Sequence, residues 1–283
     1  MNVAVKVESY RHFEARPLSP TIGAELIGFD IARDTSDAAI AEVRRALLDW
    51  KVVFFRDQDI TRAQHIAFAR RFGELEIHPA TPKDQDDPEV LRIAHGPKSK
   101  GSENNWHSDV TWRAEPSLGS VLRAIELPEV GGDTLFADMY AAYDSLEPAF
   151  KTFVEGLVAR HDIARVFAKR LGKDTAELHA KYPVQEHPVI RTHPETGRRG
   201  IYVNTGFTDS IVGLSKKQSD WVLAELYARA AIPEFQCRFP WRPGSLAFWD
   251  NRACQHYAAS DYFPLPRIME RVTIKGDRPY FTP

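Results

Sequence analysis

The sequence predicts a mainly β protein with inserted helices, arranged as a jelly roll of the cupin-like type. Short segments rich in Val, Ile, Phe and Trp recur along the chain, and Gly, Pro and Asp clusters separate them. Helical patterns lie between these segments at irregular intervals. A parallel βαβ fold agrees less well, because strands and helices do not alternate regularly and no Gly-rich phosphate loop follows a strand.

Length and composition favour one large globular unit. The chain has 283 residues, of which 43% are hydrophobic and 27% charged. No repeat, low-complexity tract or clear linker divides it, so we expect a single domain over residues 1–283. This length is ample for a sizeable core.

Charge and cysteine content limit the partners. The net charge of -2 gives no electrostatic case for nucleic acid or an anionic membrane. The N-terminus has no signal-peptide pattern, and no apolar run approaches the roughly 18 residues of a membrane helix. Cys237 and Cys254 form neither a disulfide framework nor a zinc motif. We therefore expect a cytoplasmic protein.

The first third of the chain alternates strands and helices. Short strands and turns are predicted over residues 10–32. A helix follows an N-cap region at Asp34–Asp37, because apolar residues then recur at helical spacing. Val52–Phe55 is predicted to be a buried strand, and a second helix begins after Asp59 or Thr61 as the cap. Gly73 is expected to end that helix.

The segment over residues 78–104 is polar and Pro-rich. Residues 83–88 have the composition of a solvated connector, and a short strand is predicted around Val90–Ile93. The Gly-containing stretch 96–102 then predicts a mobile loop, the kind of element that often carries binding groups. Whether this segment closes over a substrate is left open by the sequence.

The remaining elements follow from the same patterns. We predict a helical region over 139–171 that ends at Gly172 and a further helical patch over 175–181. Strands are predicted at residues 120–125, 188–191, 200–204, 235–241, 245–250 and 271–274, and residues 130–136 are predicted to be a turn that leads into a further strand. A hairpin is predicted at 194–197 and a helix over 215–231.

The stretch Asn105–Trp112 contains the first candidate for chemistry. Its aromatic and β-branched residues predict a strand, on which His107 and Asp109 would project from the same face. An imidazole and a carboxylate on one face are able to ligate one metal ion. The plain alternative is a hydrogen-bonded pair at a strand end, because His-x-Asp patterns are common by chance.

A third ligand would have to come from elsewhere, and His256 is the candidate. Two imidazoles and one carboxylate on one side of a metal are typical of non-haem Fe(II) oxygenases. Alone, His256 would be interpreted as a hydrogen-bonded polar residue. Arg267 and Arg271 follow it, and each offers a planar donor fork for a carboxylate or sulfonate, or else an ordinary surface charge.

Taken together, these motifs resemble the taurine dioxygenase family of Fe(II)/2-oxoglutarate-dependent oxygenases, in order and over nearly the whole chain. The residues that carry the resemblance are His107-x-Asp109, Gly131–Thr134, Trp249–Arg252, His256, Arg267 and Arg271, with Val52–Gln58, Arg71–Glu74, Tyr202–Asn204 and Gly276–Pro279.

The resemblance implies a double-stranded β-helix with helices outside it. It implies that His107, Asp109 and His256 bind Fe(II), and that Thr134 and Arg267 hold the far carboxylate of the co-substrate 2-oxoglutarate. The implied reaction uses O2 and yields succinate, CO2 and a hydroxylated substrate. For a taurine-like sulfonate, the product then releases sulfite and an aldehyde. The resemblance also implies a homo-oligomer.

The resemblance further implies a site for a small anionic organic substrate. His78 and Arg271 match positions that hold the sulfonate, Phe207 matches an aromatic wall, and Val110 matches a backbone contact. At the amine end, taurine-using members carry Tyr and Asn, whereas this chain has Thr81 and Glu103.

A further aromatic wall position of the family is Ile163 in this chain. Glu103 would suit the ammonium group of taurine. Equally, these departures agree with an alkyl sulfate, a longer sulfonate or an aryloxyalkanoate. A jelly-roll binding protein without catalysis is the alternative from another class.

Overall fold

A computed structural model describes residues 9–82, 86–172 and 174–283. Over this part of the chain the strands are Glu14–Pro17 (β1), Ala24–Ile27 (β2), Val52–Phe55 (β3), Leu75–Glu76 (β4), Val90–His95 (β5), Gly119–Glu126 (β6), Thr134–Asp138 (β7), Val158–His161 (β8), Gln185–Pro188 (β9), Ile190–Thr192 (β10), Arg199–Ile201 (β11), Thr208–Ile211 (β12), Gln236–Phe239 (β13), Leu246–Asp250 (β14), Cys254–Ala258 (β15) and Arg267–Ile274 (β16). The helices are Asp37–Trp50 (α1), Arg62–Arg70 (α2), Met139–Asp144 (α3), Pro148–Val154 (α4), Ala164–Leu171 (α5), Thr175–Lys181 (α6) and Lys216–Ala230 (α7), with a 3-10 turn at Pro233–Phe235.

The main sheet has eight strands in the order β1-β2-β3-β14-β6-β16-β4, with β5 also pairing with β16. Strand β3 is apolar throughout and buried on both faces. In β3, Val53 and Phe55 face helices α1 and α2, whereas Val52 and Phe54 face a second sheet. This strict alternation is the period of a strand buried on both sides.

The minor sheet is β13-β7-β15, which is antiparallel throughout. It packs face to face on the main sheet, and Phe136, Phe239 and Cys254 contribute to the shared core. Phe54 of the main sheet stacks on Phe239 with 4.0 Å between ring centroids. The prediction of a mainly β protein with inserted helices is therefore confirmed.

Helix caps follow the local sequence. Ser36 caps α1 by accepting the amide of Ala39, and Thr61 rather than Asp59 caps α2. Thr61 and Gln64 form a reciprocal capping box there, because each side chain bonds the other residue's backbone amide. None of the described helices is long and apolar enough to span a membrane.

The predicted helical region over 139–171 is wrong in its middle. The chain forms α3 and α4, then strand β8, and only then α5. Gly156 at φ 81° reverses the chain after α4, and β8 then pairs with both β9 and β12. Apolar spacing alone did not separate a short half-buried strand from the flanking helices.

The predicted strand over Asn105–Trp112 is also wrong. Within it, only His107 forms a bridge, with His256, and residues 109–112 form a turn. Val110 has φ 49°, and the amide of Arg113 donates to its carbonyl. Strands β4, β9, β12 and β15 were not predicted, and residues 83–85 of the predicted connector lie outside the described residues.

Candidate active site

The two histidines of the candidate metal site are brought together by backbone pairing. The amide of His107 donates to the carbonyl of His256 at 3.1 Å, and the amide of His256 donates back at 2.8 Å. His256 lies on β15, whose neighbour β7 is central in the minor sheet. The imidazole rings are 4.2 Å apart between centroids, so their nitrogens can reach one ion.

Asp109 reaches the same point through the turn and not along a strand face. Its amide donates to Oδ1 of Asn251 at 3.0 Å, which fixes the backbone just before Val110. The left-handed conformation of the β-branched Val110 costs roughly 1–3 kcal/mol and persists only where the surroundings impose it. In this turn the Asp109 carboxylate lies within 4.8 Å of ligand atoms of both histidines.

The three side chains have the composition of an iron site. Ligand atoms of His107, Asp109 and His256 all lie within 4.8 Å of one another, and all three residues are buried. The Nδ1–H of His107 donates to the carbonyl of Asn105 at 2.8 Å, which leaves Nε2 for a metal. Nδ1 of His256 is buried and has no hydrogen-bond partner among the described residues. Two imidazoles and a carboxylate on one side suit Fe(II).

The electrostatics keep these groups in the ligating form. Burial and the neighbouring His107 lower the pKa of His256 to about 3, so its ring is neutral at neutral pH. Burial by itself would raise the pKa of Asp109, but Arg271 and the two imidazoles hold that pKa well below its usual range. Arg271 donates from Nη1 to Asp109 Oδ1, and Ser120 donates to Oδ2 at 3.0 Å.

The first of two adjoining cavities, the inner cavity, runs from His107 and His256 to Arg267 and Thr134. Arg267 is buried, and its Nη2 has no hydrogen-bond partner among the described residues. Its Nε donates to the carbonyl of Gly132 at 3.1 Å. A guanidinium at the closed end of a cavity suits a carboxylate.

Two neighbours set the closed end of the inner cavity. The indole N–H of Trp241 donates to Thr134 Oγ1 at 3.0 Å, so the hydroxyl hydrogen of Thr134 can point to another acceptor. Gly132, at φ 72°, allows Arg267 to lie against it. A Cβ on Gly132 would come within 2.9 Å of Arg267 Cδ and Nε. This end therefore requires glycine at position 132.

The second cavity, the outer cavity, has a volume of about 310 Å³ and shares Ile93, Glu103, His107 and Arg271 with the inner cavity. Arg271, which bonds Asp109, is one of its basic groups, and the others are His78, Arg92, His95 and His107. The uncharged polar residues of the lining are Ser99, Ser102 and Asn105. The apolar lining residues are Ala80, Leu91, Ile93, Ala94, Val110, Trp112, Val166, Phe167 and Phe207. Basic and apolar lining residues together suit an organic anion with an apolar body.

Glu103 lines both cavities. Its Oε2 accepts from the amide of Ser102 at 3.0 Å and lies 3.1 Å from Nε2 of His95. The other substrate residues predicted near it are placed differently. Thr81 is buried, and its amide donates to the carbonyl of His78, but it is absent from the described lining of either cavity. Ile163 packs behind the wall, in the apolar cluster of Phe207 and Val110.

Sequence reasoning missed several residues that support the site. Asn251 holds the Asp109 amide and Ser120 holds its carboxylate, although Asn251 stood in a motif that had been singled out. Trp241 orients Thr134, and His95 pairs with Glu103. The signal available for Ser120 was its position as a polar residue at the start of the predicted strand 120–125. The others are set by contacts between distant segments.

The fold and the site define a class of protein. Two histidines and one carboxylate face a cavity with a buried arginine at its closed end, an arrangement that suits a non-haem iron oxygenase with an acidic co-substrate. The sequence profile described as "Taurine catabolism dioxygenase TauD, TfdA family" matches residues 14–273. The chain belongs to this family. It is an Fe(II)- and 2-oxoglutarate-dependent dioxygenase, and its reaction consumes O2.

Similar proteins act on different substrates, according to their names. The (S)-phenoxypropionate/alpha-ketoglutarate-dioxygenase of Sphingobium herbicidovorans is 34% identical over 94% of this chain and 96% of its own length. The alpha-ketoglutarate-dependent sulfate ester dioxygenase of Pseudomonas putida is 34% identical over 94% and 90%. A crystal structure of a taurine dioxygenase from Burkholderia xenovorans superposes with a TM-score of 0.83 at 39% identity, over 95% of this chain and 91% of that one.

Proposed function

We propose that this enzyme hydroxylates the carbon next to the sulfonate, sulfate or ether oxygen of a small organic anion with an apolar body. His107, Asp109 and His256 would hold the iron, in a fold that we propose to be a double-stranded β-helix. Arg267 and Thr134 would hold the far carboxylate of 2-oxoglutarate. Bound iron, with 2-oxoglutarate and O2, supplies the oxidising power for hydroxylation, and 2-oxoglutarate leaves as succinate and CO2.

The outer cavity carries this proposal. Arg271 bonds Asp109, and with His78 it is among the basic groups of the lining. An anionic head held by Arg271 would place the adjacent carbon near the candidate iron ligands. The volume of about 310 Å³ lies at the low end of the roughly 300–1,000 Å³ typical of small-molecule pockets. Its aromatic and aliphatic walls favour an alkyl or aryl body, because burial of apolar surface stabilises the complex.

Taurine is the second candidate, and Glu103 favours it. A carboxylate on the cavity wall suits an ammonium group. Against taurine, Glu103 already lies 3.1 Å from His95, and Thr81 is absent from the described cavity lining. Glu103 therefore decides between the two candidates: its charge helps an amine and does nothing for an alkyl chain.

A panel of four anions tests the proposal: taurine, pentanesulfonate, hexyl sulfate and 2-phenoxypropionate. The protein is reconstituted anaerobically with Fe(II) and 2-oxoglutarate, and O2 uptake and succinate are followed after mixing with air. Hydroxylation next to the heteroatom releases sulfite from the sulfonates, sulfate from the ester and phenol from the aryloxy acid. We expect hexyl sulfate, pentanesulfonate or 2-phenoxypropionate to give a higher kcat/KM than taurine.

The variant Glu103→Gln separates the two candidates in the same assay. If taurine is the substrate, loss of the charge raises the KM for taurine while the other anions are unaffected. Taurine as the best substrate of the native protein, with that response to Glu103→Gln, would contradict our preference for an apolar body.

The single domain over residues 1–283 and the homo-oligomer stay predictions. Light scattering tests the homo-oligomer.

A further inference from the structure

A buried hydrogen-bond network connects the turn after Asp109 to the turn that carries Phe207. Asn204 begins the second turn, and its Oδ1 accepts the amide of Phe207 at 2.9 Å. Its own amide donates to Thr208 Oγ1 at 2.9 Å. Asn204 therefore fixes the conformation of residues 204–208, which place the Phe207 ring in the wall of the outer cavity.

The same Asn204 side chain reaches the metal-binding turn. Its Nδ2 donates to Thr111 Oγ1 at 3.1 Å, and both residues are fully buried. Thr111 stands two residues after Asp109 and directly after Val110, which has the left-handed conformation. One amide side chain thus bonds both turns, which are 93 residues apart in sequence.

Two buried histidines hold the metal-binding turn from its other side. Nδ1 of His161 lies 3.0 Å from Thr111 Oγ1, and Nε2 of His187 donates to the carbonyl of Arg113 at 2.9 Å. Burial keeps both rings neutral, since it lowers the pKa of each. Neither ring lines the described cavities. Their hydrogen bonds therefore stabilise the turn and do not bind a ligand.

The two turns also touch beside the iron site. A Cβ on Gly206 would lie 3.2 Å from the Cβ of His107, so the Phe207 turn packs directly on a candidate metal ligand. The ring centroids of Phe207 and His107 are 6.2 Å apart, edge to face. A shift of this turn would move the cavity wall relative to the iron-binding residues.

We propose that Asn204 and Thr111 are positioning residues that set the distance between the substrate wall at Phe207 and the iron-binding turn at Asp109. Neither touches a substrate. They act by holding the target carbon at the correct distance from the iron. Hydroxylation needs this position, whereas decarboxylation of 2-oxoglutarate does not. Their loss should therefore uncouple the two half-reactions.

The test compares three variants of threonine. Thr111→Val is nearly isosteric but removes the hydroxyl, whereas Thr111→Ser retains it. Thr192→Val is the control, because Thr192 is also buried, and its hydroxyl accepts the amide of Thr282 at 2.9 Å away from the site. We expect Thr111→Val to double, at least, the ratio of succinate to released sulfate, sulfite or phenol. Affinities for Fe(II) and 2-oxoglutarate should stay within twofold.

Thr111→Ser and Thr192→Val should keep the native ratio. A native ratio in Thr111→Val, or an equal defect in Thr111→Ser, would overturn the inference. The substrate in this assay rests on the proposed function, and it is whichever of the four anions the native protein turns over. Failure of the native protein with all four counts against the proposed substrates and not against the network.

Hydrogen exchange tests the network without any substrate. In Thr111→Val, the amides of residues 204–208 should exchange at least tenfold faster than in the native protein, because Asn204 loses its anchor. Thr192→Val and Thr111→Ser should leave this segment protected. Unchanged exchange over 204–208 in Thr111→Val would refute the coupling of the two turns.

Discussion

The closed end of the inner cavity offers the sharpest prediction, the substitution Arg267→Lys. Arg267 lies on β16, where it is 4% exposed, and its Nε donates to the carbonyl of Gly132. Lysine preserves the positive charge but removes the planar fork, so it offers a carboxylate one point of contact where arginine offers two. The substitution therefore tests the hydrogen-bonding geometry of residue 267 while its positive charge stays the same.

The size of the effect follows from the lost contact. A hydrogen bond to a charged group is worth about 1.5–3 kcal/mol. Loss of one such bond to the far carboxylate of 2-oxoglutarate should raise the KM for 2-oxoglutarate about 10- to 150-fold, since about 1.4 kcal/mol corresponds to a factor of ten. Iron affinity should not change, because Arg267 does not belong to the cluster of His107, Asp109 and His256.

Succinate formation at varied 2-oxoglutarate, with saturating Fe(II), measures this effect. The matched control is Arg238→Lys on β13, where a more exposed arginine pairs with Asp133 at 2.6 Å. That variant should keep the native KM. A KM for 2-oxoglutarate within threefold of native in Arg267→Lys would refute the assignment of this arginine to the co-substrate.

Three more predictions concern the iron, the inner cavity and stability. His107→Ala should lose bound Fe(II) and turnover together. The control His179→Ala, at a partly exposed histidine that pairs with Asp162, should keep both. Normal turnover by His107→Ala would contradict the metal assignment. Gly132→Ala should raise the KM for 2-oxoglutarate at least tenfold, because the added methyl group collides with Arg267; an unchanged KM would show that the loop adapts. Burial lowers the pKa of His65 from 6.5 to about 4, so the unfolded chain takes up a proton that the folded chain does not. The contribution of His65 to the free energy of unfolding should therefore fall by about 2 kcal/mol between pH 7 and pH 5. In urea titrations, His65→Gln should reduce the loss of stability over this pH range by about that amount.

Much of the candidate site is predictable from sequence because its residues sit in short local motifs. The His-x-Asp pair and the Arg267 and Arg271 pair each occupy one segment, and the resemblance placed them in order. The local geometry was nevertheless wrong at Asp109. A run of aromatic and β-branched residues favours a strand, but tertiary bonds from Asn251 and Asn204 hold this run in a turn with Val110 in the left-handed region.

The substrate pocket shows where sequence reasoning ends. Thr81 and Ile163 were predicted to line it by their positions along the chain, yet neither belongs to the described lining. His95 and Phe167 do line it and were not predicted. Loops and helices from distant segments form these walls, and a displacement of one residue in a loop changes which side chain faces inward.

Sequence patterns alone predicted most strands of the main sheet, the regions in which α1 and α2 begin, the family and the need for Fe(II) and 2-oxoglutarate. These depend on the period of apolar residues, on local hydrogen bonding and on motifs within a few residues. The interruption of the helical region by β8, and the connection of the two turns around the site by Asn204, could be seen only in the folded chain. Those features arise from pairing and packing between segments far apart in sequence, where each residue's conformation depends on partners that no local pattern specifies.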